Sequence, residues 1–334
     1  MLQRLHMAAR WLEQMPLALS LLAIAIAAAV SWLMADAAGL HAVARVIRRA
    51  EPEWLALLLG ARAVSYGGYT LAHRTTLTPG DKRKVPIATV LKMVAFGAAA
   101  TSLEGGFSID RRALRGVGVT DRQATVAVLN LGALELATLA PAAWICSLAL
   151  LDTPRVQEGV TLPWAIGVPT GLALALLAVW KLSPRSLARE GAVGRALGHA
   201  LEALQLLLEQ VRRAPRYLEG WVGMGIYWAC EIVSLWAALR MFGVHANVAV
   251  VVVAYATGHV LTPRSLPLSG VGLTEVLLPL ALMWTGIALA AAVPAVFSYR
   301  LALLALSIPP AIAAREHVRR LVTTRTAARR VASG

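Results

Sequence analysis

Six stretches of the chain, 16–35, 53–72, 122–151, 161–181, 218–241 and 288–313, are apolar over twenty residues or more. A helix needs about 20 largely apolar residues to cross the hydrocarbon of a bilayer. There every backbone polar group must be satisfied internally, which a helix does. These stretches point to an all-α polytopic membrane protein with about six full spans, a single membrane domain over 1–334. The balance of residues agrees: 58% are apolar and 15% charged, with a mean hydropathy of +0.65. Soluble domains carry roughly a quarter charged residues. So much apolar surface excludes a disordered chain and suits a non-aqueous solvent.

The net charge of +14 would suggest nucleic acid in a soluble protein. Here the charges fall between apolar spans, as basic cytoplasmic loops do in membrane proteins, and no nucleic-acid partner is expected. Cys146 and Cys230 both lie inside apolar stretches and have no partner spacing, so they are expected to be packing residues. The first run, 16–35, follows Arg4 and Arg10, and Ala35-Asp36-Ala37 resembles a signal-peptide cleavage site. The run is longer than a signal peptide's apolar core and contains Trp32, which favours a retained helix.

Basic loops set the orientation. The connector 181–216 holds seven Lys/Arg against three Glu, and the tail from Arg315 holds six Arg against one Glu. Both are expected in the cytoplasm, with the N terminus, at the plasma membrane. The loop 152–160, with Asp152 and Glu158 against Arg155, is expected outside. Loop 36–53 is also external on this count, although it holds Arg45, Arg48 and Arg49. The orientation is consistent when 86–118 is a re-entrant hairpin that enters and leaves on the cytoplasmic side. For 247–284, a broken segment in the second half, re-entry from outside and a double crossing both satisfy the charge rule.

The two halves resemble each other. Leu103-Glu104-Gly105-Gly106-Phe107-Ser108-Ile109-Asp110 overlays Leu268-Ser269-Gly270-Val271-Gly272-Leu273-Thr274-Glu275, and Asp110 matches Glu275 in charge. The expected organisation is therefore two inverted repeats, 16–151 and 161–313. A connector, 182–216, and a basic tail, 314–334, accompany them. The connector places Leu197, Leu201, Leu204, Leu208 and Val211 on one helical face. Inverted repeats with interrupted helices point to a transporter's binding site.

A charge at the bilayer centre costs on the order of 2.5–3.5 kcal/mol and needs a partner or a wet cavity. Arg62, Lys92, Glu104, Glu135, Glu231, Arg264, Glu275 and Arg300 all lie in or at the edge of apolar segments. Glu231 and Arg300 are near the middle of theirs, and Tyr299 precedes Arg300. The run Thr262-Pro263-Arg264-Ser265-Leu266-Pro267-Leu268-Ser269-Gly270-Val271-Gly272 must break its helix, with two prolines and two glycines in eleven positions. Broken backbone is tolerated in a membrane where it is buried in protein or lines a cavity. The helix restarting near Gly272 would offer free N–H groups to an anion such as phosphate, and Arg264 a charge-assisted contact. His259, beside the break, is expected to be a packed histidine rather than a proton carrier.

The run from Pro267 to Glu275, with Tyr299-Arg300 about two dozen residues later, resembles the membrane region of lysylphosphatidylglycerol synthases and their stand-alone flippase-like relatives. Gly105-Gly106 with Asp110 is similar to that family's other Gly-rich hairpin. Ser269 departs from the first Gly of the family's pair, and Leu103-Glu104 from its Pro-Gly start. The resemblance runs over 54–313 and implies a lipid-translocating fold, fused in some members to a soluble aminoacyl-transferase domain. About 20 residues follow the last span here, so that domain and its synthase activity are not expected. No Gly-x-x-x-x-Gly-Lys-Ser/Thr, Gly-x-Ser-x-Gly or His-Glu-x-x-His motif occurs, and the seven histidines lack metal-ligand spacing. The expectation is no enzyme, no metal and no cofactor.

The expected function is a lipid transporter that holds a phospholipid, aminoacyl-phospholipid or polyprenyl-linked lipid by its head group, the anionic phosphate above all. Arg264 and Arg300 would meet the phosphate. Glu231 and Glu275 would pair with them or with a cationic head group. Gly270 and Gly272 would open the backbone, and Arg62, Tyr299, Glu104 and Asp110 complete the set. Two other readings stand beside it: a small-solute or ion transporter of the same architecture, and a non-transporting subunit of an envelope lipid-modifying complex. A homo-oligomer or an envelope-enzyme partner is compatible with each.

Overall fold

The computed structural model describes residues 16–76, 87–88, 90–91, 94, 110–111, 114–115, 119–187, 191–262, 266 and 270–306. The described residues are helical or lie in short connections, with no strand among them. The helices are α1 (Pro16–Ala37), α2 (Leu40–Arg48), α3 (Trp54–Thr76), α4 (Asp121–Leu150), α5 (Glu158–Lys181), α6 (Gly191–Arg212), α7 (Ala214–Met241), α8 (Val248–Leu261), α9 (Thr274–Trp284) and α10 (Leu289–Leu306). A single turn, Pro184–Leu187, precedes α6.

Five of these are long and apolar enough to cross a membrane: α1 over Ser20–Ala37, α4, α5, α7 and α10. The chain is a multi-pass all-α membrane protein. The sixth expected span, α3, has 23 residues, about 34 Å of helix, but is more polar. Its polar groups lie on its buried side, where Arg62, Ser65, Tyr69, Thr70, His73 and Thr76 are all covered by protein. The polar face of α3 is therefore turned inward against the bundle.

α3 and α7 form the centre of the bundle and run antiparallel. Trp54 meets Trp236 edge-on at 5.4 Å, and the Ser234 hydroxyl donates to the Leu58 carbonyl at 3.1 Å. At the far end Arg74 pairs with Glu219 at 2.9 Å. Between these points the two backbones touch through Gly68 and Gly223. A Cβ on Gly68 would lie 2.6 Å from the Gly223 carbonyl, and one on Gly223 2.6 Å from the Gly68 carbonyl. Lipid gives helices no hydrophobic reason to associate, so close backbone approach at small residues is what holds such a pair.

The breaks and loops fall at two ends of the bundle. At one end the Glu51 amide donates to the Met241 carbonyl at 2.8 Å, and the Gln157 amide to the Trp284 carbonyl at 2.9 Å. Leu150, Val156, Val160 and Val253 cluster there, with Ala249, Val250 and Trp284 against them. The start of α8 and the end of α9 are thus both beside the loop 151–157. With 14 and 11 residues, about 21 and 16 Å, each of these helices is shorter than the roughly 30 Å hydrocarbon core. They pack tightly on each other: a Cβ on Gly258 would lie 2.8 Å from Leu278 Cδ1.

Two connections hold helices of their own. The loop 36–53 contains α2, whose Arg45 and Arg48 lie in its last turn. Its Leu40 and Ile47 are exposed, as suits a short helix at an interface. On α6 the Leu stripe is packed only in part. Gly194, Gly198, Leu201, Ala203 and Gln210 are buried, while Leu197 and Val211 are exposed. Asn130 on α4 donates to the Ala203 carbonyl at 3.2 Å and accepts from Gln210 at 2.8 Å. Polar and small residues thus hold α6 to α4.

The proposed hairpin 86–118 lies largely outside the described residues, as do Glu104, Lys92 and Arg264. Asp110 is described and buried.

Candidate functional site

Four helices bring charged and aromatic side chains to one cavity of about 90 Å³. α3 contributes Arg62, Ser65, Tyr66 and Tyr69. α7 adds Tyr227 and Glu231. From α8 come Tyr255, Gly258 and His259, and α10 supplies Tyr299 and Arg300. Thr262, Thr274 and Leu278, at and after the break, complete the wall.

Two ion pairs organise it. Arg62 pairs with Glu231, both buried. Glu231 also accepts from the Tyr299 hydroxyl and from Tyr255 at 3.3 Å. Arg62 donates to the Tyr299 oxygen at 3.3 Å, and its guanidinium lies 5.3 Å from the Tyr299 ring centre. In the second pair Arg300 Nε donates to Glu275 Oε1 at 2.9 Å. The formal charges cancel within each pair, which is what lets four ionised groups lie deep in a membrane protein.

Even so, the pairs leave atoms over. Arg62 Nε, Glu231 Oε1 and Arg300 Nη2 are buried and, among the described residues, have no hydrogen-bond partner. Buried polar atoms are ordinarily satisfied, and one left alone costs about 1–3 kcal/mol, more when charged. Two donors and one acceptor without partners among the described residues thus lie on residues that line one cavity.

The break itself is shaped by backbone and by Glu275. Gly270 has φ +70° and Gly272 φ +89°, conformations that side chains resist. The Gly272 amide donates to Glu275 Oε2 at 2.6 Å, and the Thr274 hydroxyl to the Gly270 carbonyl at 3.0 Å. The expected free N–H of Gly272 is therefore taken by the chain's own carboxylate. The anion at this helix start is Glu275, and the donor left for an external anion is Arg300 Nη2. Gly272→Ala is expected to cost about 1–2 kcal/mol from backbone strain, with Ile26 Cγ2 only 3.3 Å from the new Cβ. Thermal unfolding in detergent reads that loss.

Of the residues singled out from sequence, Arg62, Glu231, Glu275, Tyr299, Arg300, Gly270 and Gly272 come together here. Asp110 does not; it pairs with His73 at 3.3 Å. Glu135 accepts from Tyr69 at 2.9 Å. Sequence reasoning missed Tyr255, Tyr69 and His73. Their signal was helical spacing: Tyr69 and His73 are four apart, as are Tyr255 and His259, which stack with ring centres 6.2 Å apart.

On the far side of α8 lies a second space, an apolar cleft of about 840 Å³ between α5 and helices α4, α6 and α8. Thr257, Val260 and Leu261 face it, whereas Gly258 and His259 face the polar cavity.

The described residues thus form a multi-pass helical bundle with an interrupted helix pair beside a charged, buried cavity. The sequence profile of the lysylphosphatidylglycerol synthase TM region matches residues 20–310, and the chain belongs to that family. Family membership makes it a membrane protein tied to lipid modification or transport and associated with membrane lipids. A search of curated proteins finds no match.

Proposed function

We propose that the chain moves a lipid between leaflets, holding the phosphate-bearing head group in the polar cavity while the acyl chains stay in hydrocarbon. The observation that carries this reading is the trio of unpartnered buried atoms, Arg62 Nε, Glu231 Oε1 and Arg300 Nη2, on residues that line one cavity. A head group that meets them loses its water and gains charge-assisted hydrogen bonds. That lowers the cost of a polar group at mid-membrane, the barrier any lipid translocator must reduce. The cleft beyond α8 favours a lipid over a small solute, because its lining is almost wholly carbon, a surface suited to an acyl chain.

In this reading 247–284 is a re-entrant hairpin whose arms, α8 and α9, are too short to cross. It enters and leaves beside the loop 151–157. The basic connector 181–216 and the tail then lie in the cytoplasm, at the plasma membrane, and the two halves are inverted repeats. The chain works as a carrier rather than an enzyme.

The test is lipid transport in proteoliposomes that carry a fluorescent phospholipid. Arg300→Ala, which removes the donor to the head group, is expected to slow transport at least tenfold, about 1.4 kcal/mol at the barrier. Glu275→Gln, which loosens Arg300 and the Gly272 amide together, is expected to slow it similarly. Arg300→Lys, keeping charge without the fork, falls between. Wild-type rates in both Arg300→Ala and Glu275→Gln, with the proteins folded by thermal unfolding, contradict the reading.

A further inference from the structure

We infer that His73 and Asp110 form a proton-binding site that couples proton movement to the work of the cavity. Its observations are separate from those of the head-group site. His73 is on α3, eleven residues from Arg62 and near the end marked by the Arg74–Glu219 pair. Its side chain is 1% exposed, and its Nε2 lies 3.3 Å from Asp110 Oδ2. Its other nitrogen, Nδ1, is buried and, among the described residues, has no hydrogen-bond partner.

In the tautomer whose Nε2 proton faces Asp110, 3.3 Å away, neutral His73 presents a bare lone pair at Nδ1. The pair then carries one negative charge in a covered site. A proton taken up at Nδ1 makes an imidazolium beside the carboxylate, and the net charge falls to zero. No bond other than N–H forms. Buried ionisable groups of this kind inside membrane proteins mark proton relays, and histidine changes charge within the physiological range.

Aromatic packing links the pair to the cavity. The Tyr69 ring is 5.9 Å from that of His73 and 5.0 Å from Tyr227. Its hydroxyl donates to Glu135 at 2.9 Å, and both Tyr69 and Tyr227 line the polar cavity. Among the described residues, the other charged groups on α3 and beside Asp110 are paired or exposed. Arg74 is on Glu219 at 2.9 Å, Arg115 is on Asp121 at 3.2 Å, and Arg111 is exposed. Arg62 lies near the middle of α3's buried face and His73 nearer its C-terminal end. A proton at His73 therefore changes the charge on the same helix face that holds Arg62, eleven residues away.

The coupling rests on the transport reading above; the proton binding does not, and two measurements separate them. In proteoliposomes, wild-type lipid transport is expected to change about tenfold as the pH on the Arg74–Glu219 side is stepped from about 5 to 8, within the usual range of coupling between sites. His73→Gln and Asp110→Asn are expected to flatten that profile while keeping transport at its best pH. Transport that ignores pH in the wild type, or a profile unchanged in both variants, overturns the coupling. Separately, in protein bearing isotope-labelled histidine in lipid nanodiscs, the His73 resonance, identified by its loss in His73→Gln, is expected to titrate. Its midpoint is expected to move in Asp110→Asn and to stay put in the control His245→Gln. A His73 signal that never titrates overturns the proton site, even if no lipid is transported at all.

Discussion

Replacing Glu231 with alanine is expected to destabilise the protein by about 3–5 kcal/mol, the usual cost of leaving a buried charge without its partner. Arg62 would remain ionised beneath Tyr66 and Tyr299, and the hydroxyls of Tyr255 and Tyr299 would lose their acceptor. Arg62→Ala is expected to cost a similar amount by exposing the carboxylate instead. The double variant Arg62→Met/Glu231→Met removes both charges and is expected to recover most of the loss, since well-packed apolar replacements of buried pairs are often neutral. It should nevertheless bind and move no head group. Thermal unfolding in detergent measures the first effect and the proteoliposome assay the second. A stable, fully active double variant would show that the pair only fixes packing.

The second large effect lies at the α3–α7 crossing. Gly68→Leu or Gly223→Leu puts a side chain where the partner's backbone lies within 2.6–2.8 Å. Backbone cannot yield as a flexible side chain does, so the helices must separate along their length. Overpacking a good core costs about 1–3 kcal/mol, and here a loss at or above the top of that range is expected. Separation also pulls Arg62 away from Glu231, so transport should fall further than stability. As a comparison, Gly60→Leu on the same helix has open space around its Cβ and is expected to change little. Equal losses at Gly60 and Gly68 would contradict the close crossing.

Much of the membrane architecture was legible in the chain because hydrocarbon thickness sets a length that apolar runs must meet. The break at 262–272 was legible for a similar reason, since proline and glycine act locally. Partners were not. Arg62 and Tyr299 are 237 residues apart, and no local rule connects them. The Gly272 amide looked open to an outside anion because a helix start offers donors. The carboxylate that fills it, Glu275, is three residues on, and spacing alone leaves its side chain's direction undecided. The leucine stripe of α6 left its packing side open, and the structure divides it: Leu201 is buried while Leu197 and Val211 are exposed. His73 was considered as a metal ligand, where spacing to other histidines matters. Its significance lies in a contact with Asp110 from another segment.

The account turns on whether Arg62 Nε, Glu231 Oε1 and Arg300 Nη2 await a lipid head group. The direct measurement is an electron cryo-microscopy map of the protein in nanodiscs of a native-like phospholipid mixture. The account predicts head-group density within hydrogen-bonding distance of Arg300 Nη2 and Glu231 Oε1, continuous with acyl density leaving the cavity toward the bilayer. A cavity whose three atoms are satisfied by the protein's own side chains, with every ordered lipid confined to the outer surface of the bundle, would contradict it.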